Sequence, residues 1–368
     1  MKIGIIGGGQ LGRMLALAGI PLGIQFRFWE QDRDCPASDV GEVTVGSFDD
    51  HSLIENFIAG LTCVTYEFEN VPVALIAAIA NHLPVSPPTK ALEICQDRIL
   101  EKNTFNELKI PCAKFLAITN QNDLTNAFDA GFSIPAILKS RRFGYDGKGQ
   151  ARIGSAAEAH GAWQAVGGVP SILEECVPFE SELSLLSVRG HDGDVRFYPL
   201  IENTHIKGIL SKSLVPSKLV TTALQSQAEE YGSRLLKHFN YVGVLTIEFF
   251  LLNGQLFANE MAPRVHNSGH WSIEGSETSQ FANHIRALIK APLGSVAMNG
   301  YALLLNLVGD IPDQNLILAQ AGAFLHLYRK SGRNRRKIGH ITLRNEDPQS
   351  LDEASSGMLK LIDCYLKF

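Results

Sequence analysis

A glycine-rich turn placed directly after an apolar strand constrains the fold of this chain more than any other feature. Residues Ile3–Ile6 are typical of a buried strand, Gly7–Gly12 match the pattern G-x-G-x-x-G, and the helix-forming residues Met14–Ala18 follow. Such glycines allow a sharp turn from strand to helix and bring backbone N–H groups close to a bound phosphate. The pattern therefore predicts a parallel sheet with crossover helices, and it favours a phosphate contact over a turn that only packs the helix on the sheet.

The alternation of strands and helices continues through the first hundred residues. Gln25–Trp29 and Cys63–Thr65 are typical of further strands, Val73–Asn81 is typical of a helix, and a boundary follows the proline-rich stretch Pro84–Pro88. Glu30 ends the second strand, where a nicotinamide-binding domain would place an acid on a ribose hydroxyl. The glycine pattern alone therefore leaves a nicotinamide oxidoreductase open as an alternative.

The length and composition predict a soluble, globular protein with more than one domain. The chain of 368 residues is longer than one hydrophobic core normally serves, and its 45% hydrophobic and 19% charged residues suit a protein with a buried core. The six cysteines are scattered without a Cys-x-x-Cys pair, and no apolar stretch approaches the roughly 20 residues of a membrane span. We therefore expect reduced thiols and a cytoplasmic protein. The net charge of −5 argues against nucleic acid as a partner.

The sequence pattern changes twice along the chain, which predicts three domains of mixed α/β and α+β class. We expect a Rossmann-like domain over residues 1–97, a middle domain over 98–295 with a small subdomain at about 110–180, and a β-rich module over 296–368. Helical spacing extends over Lys90–Leu108. The strands of the last module are expected at Tyr301–Val308, Ala323–Tyr328 and Ile338–Leu343.

A basic, glycine-rich loop in the middle of the chain suits a polyphosphate. Phe132–Lys139 and Gln150–Ile153 are typical of paired strands, and the loop between them contains three glycines and several cations. Lys139 and Lys148 supply positive charge, and glycine N–H groups can approach an anion. The loop is not a Walker motif, because Lys148 precedes a glycine and a strand and not a Ser or Thr that opens a helix. A solvated basic hairpin remains the alternative.

Two acids interrupt an apolar hairpin and predict a magnesium site. The segment Gly243–Glu260 contains two apolar strands joined at Asn253-Gly254, which is a strong hairpin signal. Placing the ionised carboxylates of Glu248 and Glu260 among apolar residues is unfavourable unless a cation neutralises them. Carboxylate oxygens are suitable ligands for magnesium beside ATP phosphates. A two-residue loop sets Glu248 opposite Asn259, whereas a three-residue loop or a bulge makes the two acids face each other. A shared metal site requires the second arrangement, and a structural ion pair is the alternative.

The segment Glu174–Val177 ends an apolar run and, with Glu182 just beyond it, suits a nucleoside. Backbone groups at a strand edge can pair with adenine, and the Glu182 carboxylate can accept hydrogen bonds from ribose hydroxyls. An isolated Glu on a strand is more often a solvated residue, so this signal is weak by itself.

Together with the glycine turn, several longer motifs resemble those of the 5-(carboxyamino)imidazole ribonucleotide synthetases of the ATP-grasp superfamily. These motifs are Tyr66–Asn70, Gln96–Arg98, Lys139, Gly144–Gln150, Gly339-His340 and, most specific of all, Asn259–Trp271. The resemblance covers nearly the whole chain. It implies an ATP-grasp fold flanked by a Rossmann-like pre-ATP-grasp domain and a small C-terminal β-rich module. Phe143 stands where the family often has glycine, and Arg329 replaces the glycine usual before Lys330.

The resemblance also implies a reaction, its ligands and the residues that bind them. The enzyme would be a homodimer that carboxylates an aminoimidazole ribonucleotide with bicarbonate, ATP and magnesium. ATP would contact Arg98, Lys139, Gly144, Tyr145, Asp146, Gly147, Lys148, Gly149, Gln150, Glu174, Glu175, Cys176, Val177, Glu182, His205, Asn259 and Glu260. Magnesium would bind Glu248 and Glu260. The ribonucleotide would contact Gly8, Gly9, Gln10, Leu11, Glu67, Tyr145, Asp146, Lys330 and Arg336. The catalytic residues would be Asp146, Arg264, His266 and Asn267.

Three alternative functions stay open at this point. A formate-using, glycinamide ribonucleotide transformylase-like enzyme, or another ATP-grasp carboxylase such as one directed at biotin, differs only in its acceptor. A nicotinamide oxidoreductase leaves the acidic hairpin and the basic loop unexplained. A catalytically silent nucleotide-binding regulator leaves Arg264–Asn267 without a task.

Overall fold

The computed structural model describes residues 1–144 and 148–368, so the predictions for Tyr145, Asp146 and Gly147 lie outside the described residues. The strands are β1 Lys2–Ile6, β2 Gln25–Glu30, β3 Glu42–Val45, β4 Cys63–Tyr66, β5 Phe115–Ile118, β6 Ala136–Ser140, β7 Gln150–Ile153, β8 Ser171–Glu175, β9 Ser181–Arg189, β10 Val195–Phe197, β11 Ile201–Ile206, β12 Ile209–Val215, β13 Gly243–Leu252, β14 Gln255–Ala262, β15 Tyr301–Val308, β16 Ala323–Leu327 and β17 Lys337–Asn345. The α-helices are α1 Gln10–Gly19, α2 Ile54–Ile58, α3 Val73–Ala80, α4 Thr89–Cys95, α5 Arg98–Glu107, α6 Gln121–Asp129, α7 Ala159–Ala165, α8 Thr222–His238, α9 Ser272–Gly275, α10 Gln280–Leu288, α11 Gln314–Leu318 and α12 Pro348–Ile362.

The N-terminal sheet has the order β3–β2–β1–β4, and all of its strands are parallel. The parallel sheet predicted from the strand and helix alternation is confirmed, and the predicted strands and the helix after Pro72 agree with the structure within one residue. One face of the sheet buries Trp29, Phe57 and Tyr66. On the other face, α1 packs against α10 of the middle of the chain through a shared apolar core. The N-terminus of α1 is thereby held beside the cavity described below.

A small antiparallel sheet with the order β5–β8–β6–β7 carries the basic loop. Helices α6 and α7 cover it with a core that includes Leu124, Leu138 and Trp163. The predicted strand over 132–139 is wrong at its start, because the observed strand begins only at Ala136. Pro135 lacks an N–H and cannot join a strand ladder there. The return strand Gln150–Ile153 is confirmed.

The helical stretch predicted over residues 90–108 is divided into α4 and α5. The division has a local cause, since the Asp97 carboxylate accepts hydrogen bonds from the N–H groups of Ile99 and Leu100 and so caps a new helix. The cap places Arg98 at the first position of α5. That helix start lies against the stem of the basic loop.

The largest sheet has nine strands in the order β14–β13–β9–β11–β12–β15–β17–β16, with β10 paired to β9. The three C-terminal strands therefore continue the sheet of the middle domain, and α12 packs on them through Leu351, Met358 and Ile362. The boundaries 1–97, 98–295 and 296–368 stay predictions. Among the described residues, no helix is long and apolar enough to cross a membrane.

Candidate active site

A cavity of about 580 Å³ lies where the N-terminal domain, the small sheet and the large sheet meet. Many of the predicted site residues line it, namely Gln10, Leu11, Arg98, Lys139, Gly144, Lys148, Gln150, Glu182, His205, Glu248, Asn259, Glu260, Arg264, His266 and Asn267. Gly8, Gly9, Glu67, Gly149, Glu174, Glu175, Cys176, Val177, Lys330 and Arg336 do not line the cavity wall. Residues far apart in sequence thus converge on one space, which is large enough for a nucleotide.

The acidic hairpin takes the arrangement that a shared metal site requires. The loop has two residues, since Leu252 pairs with Gln255, but a bulge after Glu248 shifts the register and makes Glu248 face Glu260. Both acids line the cavity. Glu260 accepts a hydrogen bond from Arg98 Nη1 at 2.9 Å, and Glu248 Oε1 lies 3.1 Å from His266 Nε2.

These carboxylates fit a magnesium ion that is also held by phosphate oxygens. Burial alone would raise the pKa of Glu248, but the hydrogen bond from His266 and the nearby His205 lower it. The carboxylate is therefore ionised and ready to bind a cation. Within residues 1–144 and 148–368 no group of three or more His, Cys, Asp or Glu side chains could hold a metal. Two carboxylates completed by phosphates and water are what magnesium commonly uses.

A buried ion cluster lies behind the cavity, at the base of the basic loop. Lys139 Nζ lies 2.8 Å from Glu174 Oε2, and Lys102 Nζ lies 3.9 Å from the same oxygen. Burial opposes the charge of Glu174, yet Lys102 and Lys139 lower its pKa to about 2. For Lys139, burial dominates and its pKa is lowered despite Glu174. Lys139 also reaches Asn259 Oδ1 at 3.5 Å, so the cluster connects the small sheet to the acidic hairpin.

Glu182 and His205 form a pair on the neighbouring strands β9 and β11. Their Oε2 and Nδ1 atoms lie 2.8 Å apart. Burial would lower the pKa of His205, but the hydrogen bond to Glu182 and the charge of Glu248 raise it. The N–H of Cys176, another predicted ATP contact, donates to the carbonyl oxygen of Pro135 and joins this residue to the small sheet.

The segment after the acidic hairpin brings Arg264, His266 and Asn267 to the cavity. Arg264 Nε donates to the carboxylate of Glu69, a residue to which the sequence analysis gave no role. Burial would raise the pKa of Glu69, but Arg264 lowers it to about 2. Glu69 lies in the motif Tyr66–Asn70, so the motif pointed to the right segment but not to this acid.

The glycine turn is occupied by carboxylates of the protein itself. Glu67 accepts hydrogen bonds from the N–H groups of Gly9 and Gly12, the latter at 2.7 Å, and Glu30 accepts from Gly8 N–H at 2.8 Å. Burial of Glu67 raises its pKa, although these two N–H groups oppose the rise. A phosphate at the same N–H groups would have to replace both carboxylates.

Lys330 and Arg336, both predicted to contact the ribonucleotide, lie in the turn between β16 and β17, the C-terminal hairpin, and take different positions. Lys330 Nζ donates to Gln10 Oε1 at the start of α1, beside the cavity. Arg336 Nη1 contacts Ser331, at 3.2 Å from its Oγ and 3.4 Å from its carbonyl oxygen. Lys337 lines the cavity, which the sequence analysis did not foresee.

Other residues of the cavity wall were also missed. Arg141 and Arg142 form ion pairs with the buried Asp97, at 2.6 Å and 3.0 Å, and so tie the stem of the basic loop to the start of α5. Glu101 accepts the N–H of Met261 at 2.7 Å, and burial together with the charge of Glu260 raises its pKa to about 8. Asp97 could have been recognised from the sequence as a helix cap, which would have pointed to the site of its partners Arg141 and Arg142. Nothing in the local sequence marks Glu101 as buried.

Comparison with known proteins matches three segments of the chain to known domain families. Family models match residues 1–96 as a ribonucleotide synthetase preATP-grasp domain, 103–281 as an ATP-grasp domain, and 302–354 as a phosphoribosylaminoimidazole carboxylase C-terminal domain. The N5-carboxyaminoimidazole ribonucleotide synthase of Pseudomonas aeruginosa is 46% identical over 363 residues, which are 99% of this chain and 100% of that protein. The chain belongs to the N5-carboxyaminoimidazole ribonucleotide synthase family. It is an ATP-dependent ligase of the ATP-grasp class, and its family serves purine biosynthesis.

Solved structures agree with this assignment over the full length. The N5-carboxyaminoimidazole ribonucleotide synthetase of Thermus thermophilus is 49% identical with a TM-score of 0.93, and 98% of each chain is covered. The enzyme of Aspergillus clavatus, solved with ADP and 5-aminoimidazole ribonucleotide, is 28% identical with a TM-score of 0.90, covering 99% of this chain and 98% of that chain. The predicted ATP-grasp fold with its two flanking domains is confirmed.

Proposed function

We propose that this ligase uses ATP to phosphorylate bicarbonate and transfers the resulting carboxyl group to the exocyclic amine of 5-aminoimidazole ribonucleotide. The observation that carries the proposal is the convergence of two facing carboxylates with Arg264, His266 and Asn267 in one cavity. The solved relative with ADP and 5-aminoimidazole ribonucleotide supports the choice of substrates. The products are N5-carboxyaminoimidazole ribonucleotide, ADP and phosphate.

ATP fits the half of the cavity formed by the small sheet and the acidic hairpin. Lys139, Lys148 and Arg98 supply positive charge for its phosphates, and the Glu182 carboxylate can accept hydrogen bonds from its ribose. Glu248 and Glu260 would hold magnesium, which neutralises phosphate charge as the phosphoryl group is transferred. Arg98 is already anchored on Glu260, so metal and phosphate binding are coupled at one point.

The carboxyphosphate fits beside the segment that follows the hairpin. Bicarbonate is a poor electrophile until one of its oxygens attacks the γ-phosphorus and displaces ADP. Arg264 and Asn267 offer donors to the oxygens of the product, and Arg264 is held in place by the buried Glu69. Attack of the substrate amine on the carbon then expels phosphate, and donors placed at the developing negative charge lower the barrier.

Finer features belong to the proposal as well. The two facing carboxylates support magnesium as the metal. Bicarbonate as the carboxyl source, a homodimer and a cytoplasmic location are proposed from the family to which the chain belongs. Tyr145 and Asp146 remain proposed contacts of the ribonucleotide, and Asp146 remains a proposed catalytic residue.

An ADP-release assay with separate substrates tests the proposed function. We expect release to depend on magnesium and to rise strongly only when 5-aminoimidazole ribonucleotide and bicarbonate are both present. Formate should not replace bicarbonate, because the site would have to form a formyl phosphate and a different product. Equal stimulation by formate with glycinamide ribonucleotide would assign the protein to the transformylase branch instead.

Removal of charge from the C-terminal hairpin tests where the ribonucleotide phosphate binds. We expect Lys330→Ala and Arg336→Ala each to raise the KM for 5-aminoimidazole ribonucleotide about tenfold, since a charge-assisted phosphate contact contributes about 1.5–3 kcal/mol. The KM for ATP should not change. Arg333→Ala, on an exposed residue of the same turn, is the matched control. If both variants keep the wild-type KM for the ribonucleotide, its phosphate binds elsewhere.

A further inference from the structure

A chain of hydrogen-bonded side chains runs from His266 into the protein, away from the cavity. Nδ1 of His266 lies 2.8 Å from Ser268 Oγ, which lies 2.8 Å from Ser184 Oγ. Asn203 Nδ2 donates to Ser184 Oγ at 2.9 Å, and Ser213 Oγ donates to Asn203 Oδ1 at 2.7 Å. The three serines are fully buried and Asn203 is 6% exposed, so bulk water does not compete for these groups.

One backbone donor fixes the direction of every hydrogen bond in this chain. The N–H of Ser268 points at Nδ1 of His266 at 3.3 Å, and an N–H can only donate. Nδ1 is therefore an acceptor, and the Ser268 hydroxyl must use its single proton to donate to it. Ser268 Oγ then accepts from the Ser184 hydroxyl, and Ser184 Oγ accepts from the amide of Asn203. The observed amide orientation of Asn203, with its oxygen toward Ser213, is the one required when each hydroxyl group donates its single proton in this order.

We propose that Ser268, Ser184 and Asn203 are positioning residues that hold His266 as the tautomer with its proton on Nε2. A neutral histidine whose Nδ1 accepts carries its one proton on Nε2. His266 lines the cavity, and its Nε2 lies 3.1 Å from Glu248 Oε1. The chain therefore presents an N–H donor to the cavity. In the ligand-free protein this N–H faces the Glu248 carboxylate, and in the complex it can donate to an oxygen anion of the ligand. A histidine held in this way does not remove a proton from the attacking amine.

The inference rests on the proposed function for the identity of the anion, carboxyphosphate, but not for the tautomer. The tautomer is a property of the ligand-free protein and is measured without any substrate. If the carboxylation assay fails, the proposed function fails alone. If the tautomer is the other one, the positioning role fails alone.

Nitrogen-15 NMR of histidine-labelled protein measures the tautomer, because protonated and unprotonated ring nitrogens differ widely in chemical shift. We expect a protonated Nε2 and an unprotonated Nδ1 for His266, assigned by the signals that disappear in His266→Asn. Asn203→Asp should reverse the chain, since a carboxylate only accepts: the Ser184 hydroxyl turns to it and the Ser268 hydroxyl turns to Ser184. Only the longer contact from the Ser268 N–H, at 3.3 Å, then opposes a proton on Nδ1, so Nδ1 gains proton character. A wild-type His266 with its proton on Nδ1 would overturn the proposal.

Ser268→Ala keeps the test decisive if the buried carboxylate of Asn203→Asp prevents folding. It removes a single oxygen, and we expect the His266 signals to move toward a mixture of tautomers. The kcat should fall roughly twofold to tenfold, the effect of one hydrogen bond, with the KM for ATP unchanged. The matched controls are Ser187→Ala and Thr246→Val, two buried hydroxyls that find no hydrogen-bond partner among the described residues. The positioning role is wrong if Ser268→Ala matches these controls in both the NMR spectrum and kcat.

Discussion

Glu248→Gln is expected to lower kcat for ADP release by about 100-fold or more, because it removes one of the two charges that would hold magnesium against the ATP phosphates. The fold should survive the change. The new amide keeps an oxygen for the Nε2–H of His266, which lies 3.1 Å from the present carboxylate. The apparent magnesium concentration for half-maximal rate should rise in parallel.

The measurement is a magnesium titration of ADP release with 5-aminoimidazole ribonucleotide and bicarbonate at saturation. Glu353→Gln is the control, since Glu353 is exposed on α12 and its loss changes the net charge equally. A Glu248→Gln variant with the magnesium dependence of the control would show that the facing carboxylates are a structural pair and not a metal site.

Glu174→Gln is expected to lower the free energy of unfolding by about 3–5 kcal/mol, the usual cost of breaking a buried ion pair from one side. The variant leaves Lys139 and Lys102 buried without their shared counter-charge, and these side chains are 8% and 1% exposed. Lys139→Met should cost less, because Lys102 still balances Glu174 at 3.9 Å. Urea unfolding at neutral pH compares the two variants.

The pH dependence of the free energy of unfolding tests the same ion cluster independently. The folded pKa of Glu174, about 2, lies below its ordinary value of 4.5. Its ionisation therefore stabilises the fold above pH 4.5, and that stabilisation is lost as the pH falls from 4.5 toward 2. Glu174→Gln should lose this part of the acid sensitivity. Equal stability of Glu174→Gln and wild type at neutral pH, with the same loss of stability as the pH falls below 4.5, would contradict the buried cluster.

Local patterns predicted the elements of this protein well, because each depends on neighbours in the sequence. The strand before Gly7, the parallel first sheet and the hairpin at Asn253-Gly254 all follow from alternation and turn chemistry. The split between α4 and α5 could also have been predicted, since Asp97 is a typical cap before a helix. What the pattern of the C-terminal strands could not show is that they extend the middle sheet through β12 and β15.

The parts of the site that the sequence did not predict depend on contacts between distant segments. The partner of Arg264 is Glu69, 195 residues away, and no local rule selects it over Glu67. The bulge that turns Glu248 toward Glu260 was one of the arrangements that the hairpin sequence left open, and only the observed strand register identifies it. Motif resemblance found many of the residues of the cavity wall. It did not give the buried groups that hold them.

Transfer of oxygen from bicarbonate to phosphate tests the central claim most directly. When an oxygen of bicarbonate attacks the γ-phosphorus and the amine later displaces phosphate from the carbon, that oxygen stays on phosphorus. With ¹⁸O-labelled bicarbonate, ATP and 5-aminoimidazole ribonucleotide, the account predicts one ¹⁸O atom in each phosphate formed, measured by mass spectrometry before the label exchanges with water. Phosphate without ¹⁸O, formed together with carboxylated product, would contradict a carboxyphosphate intermediate.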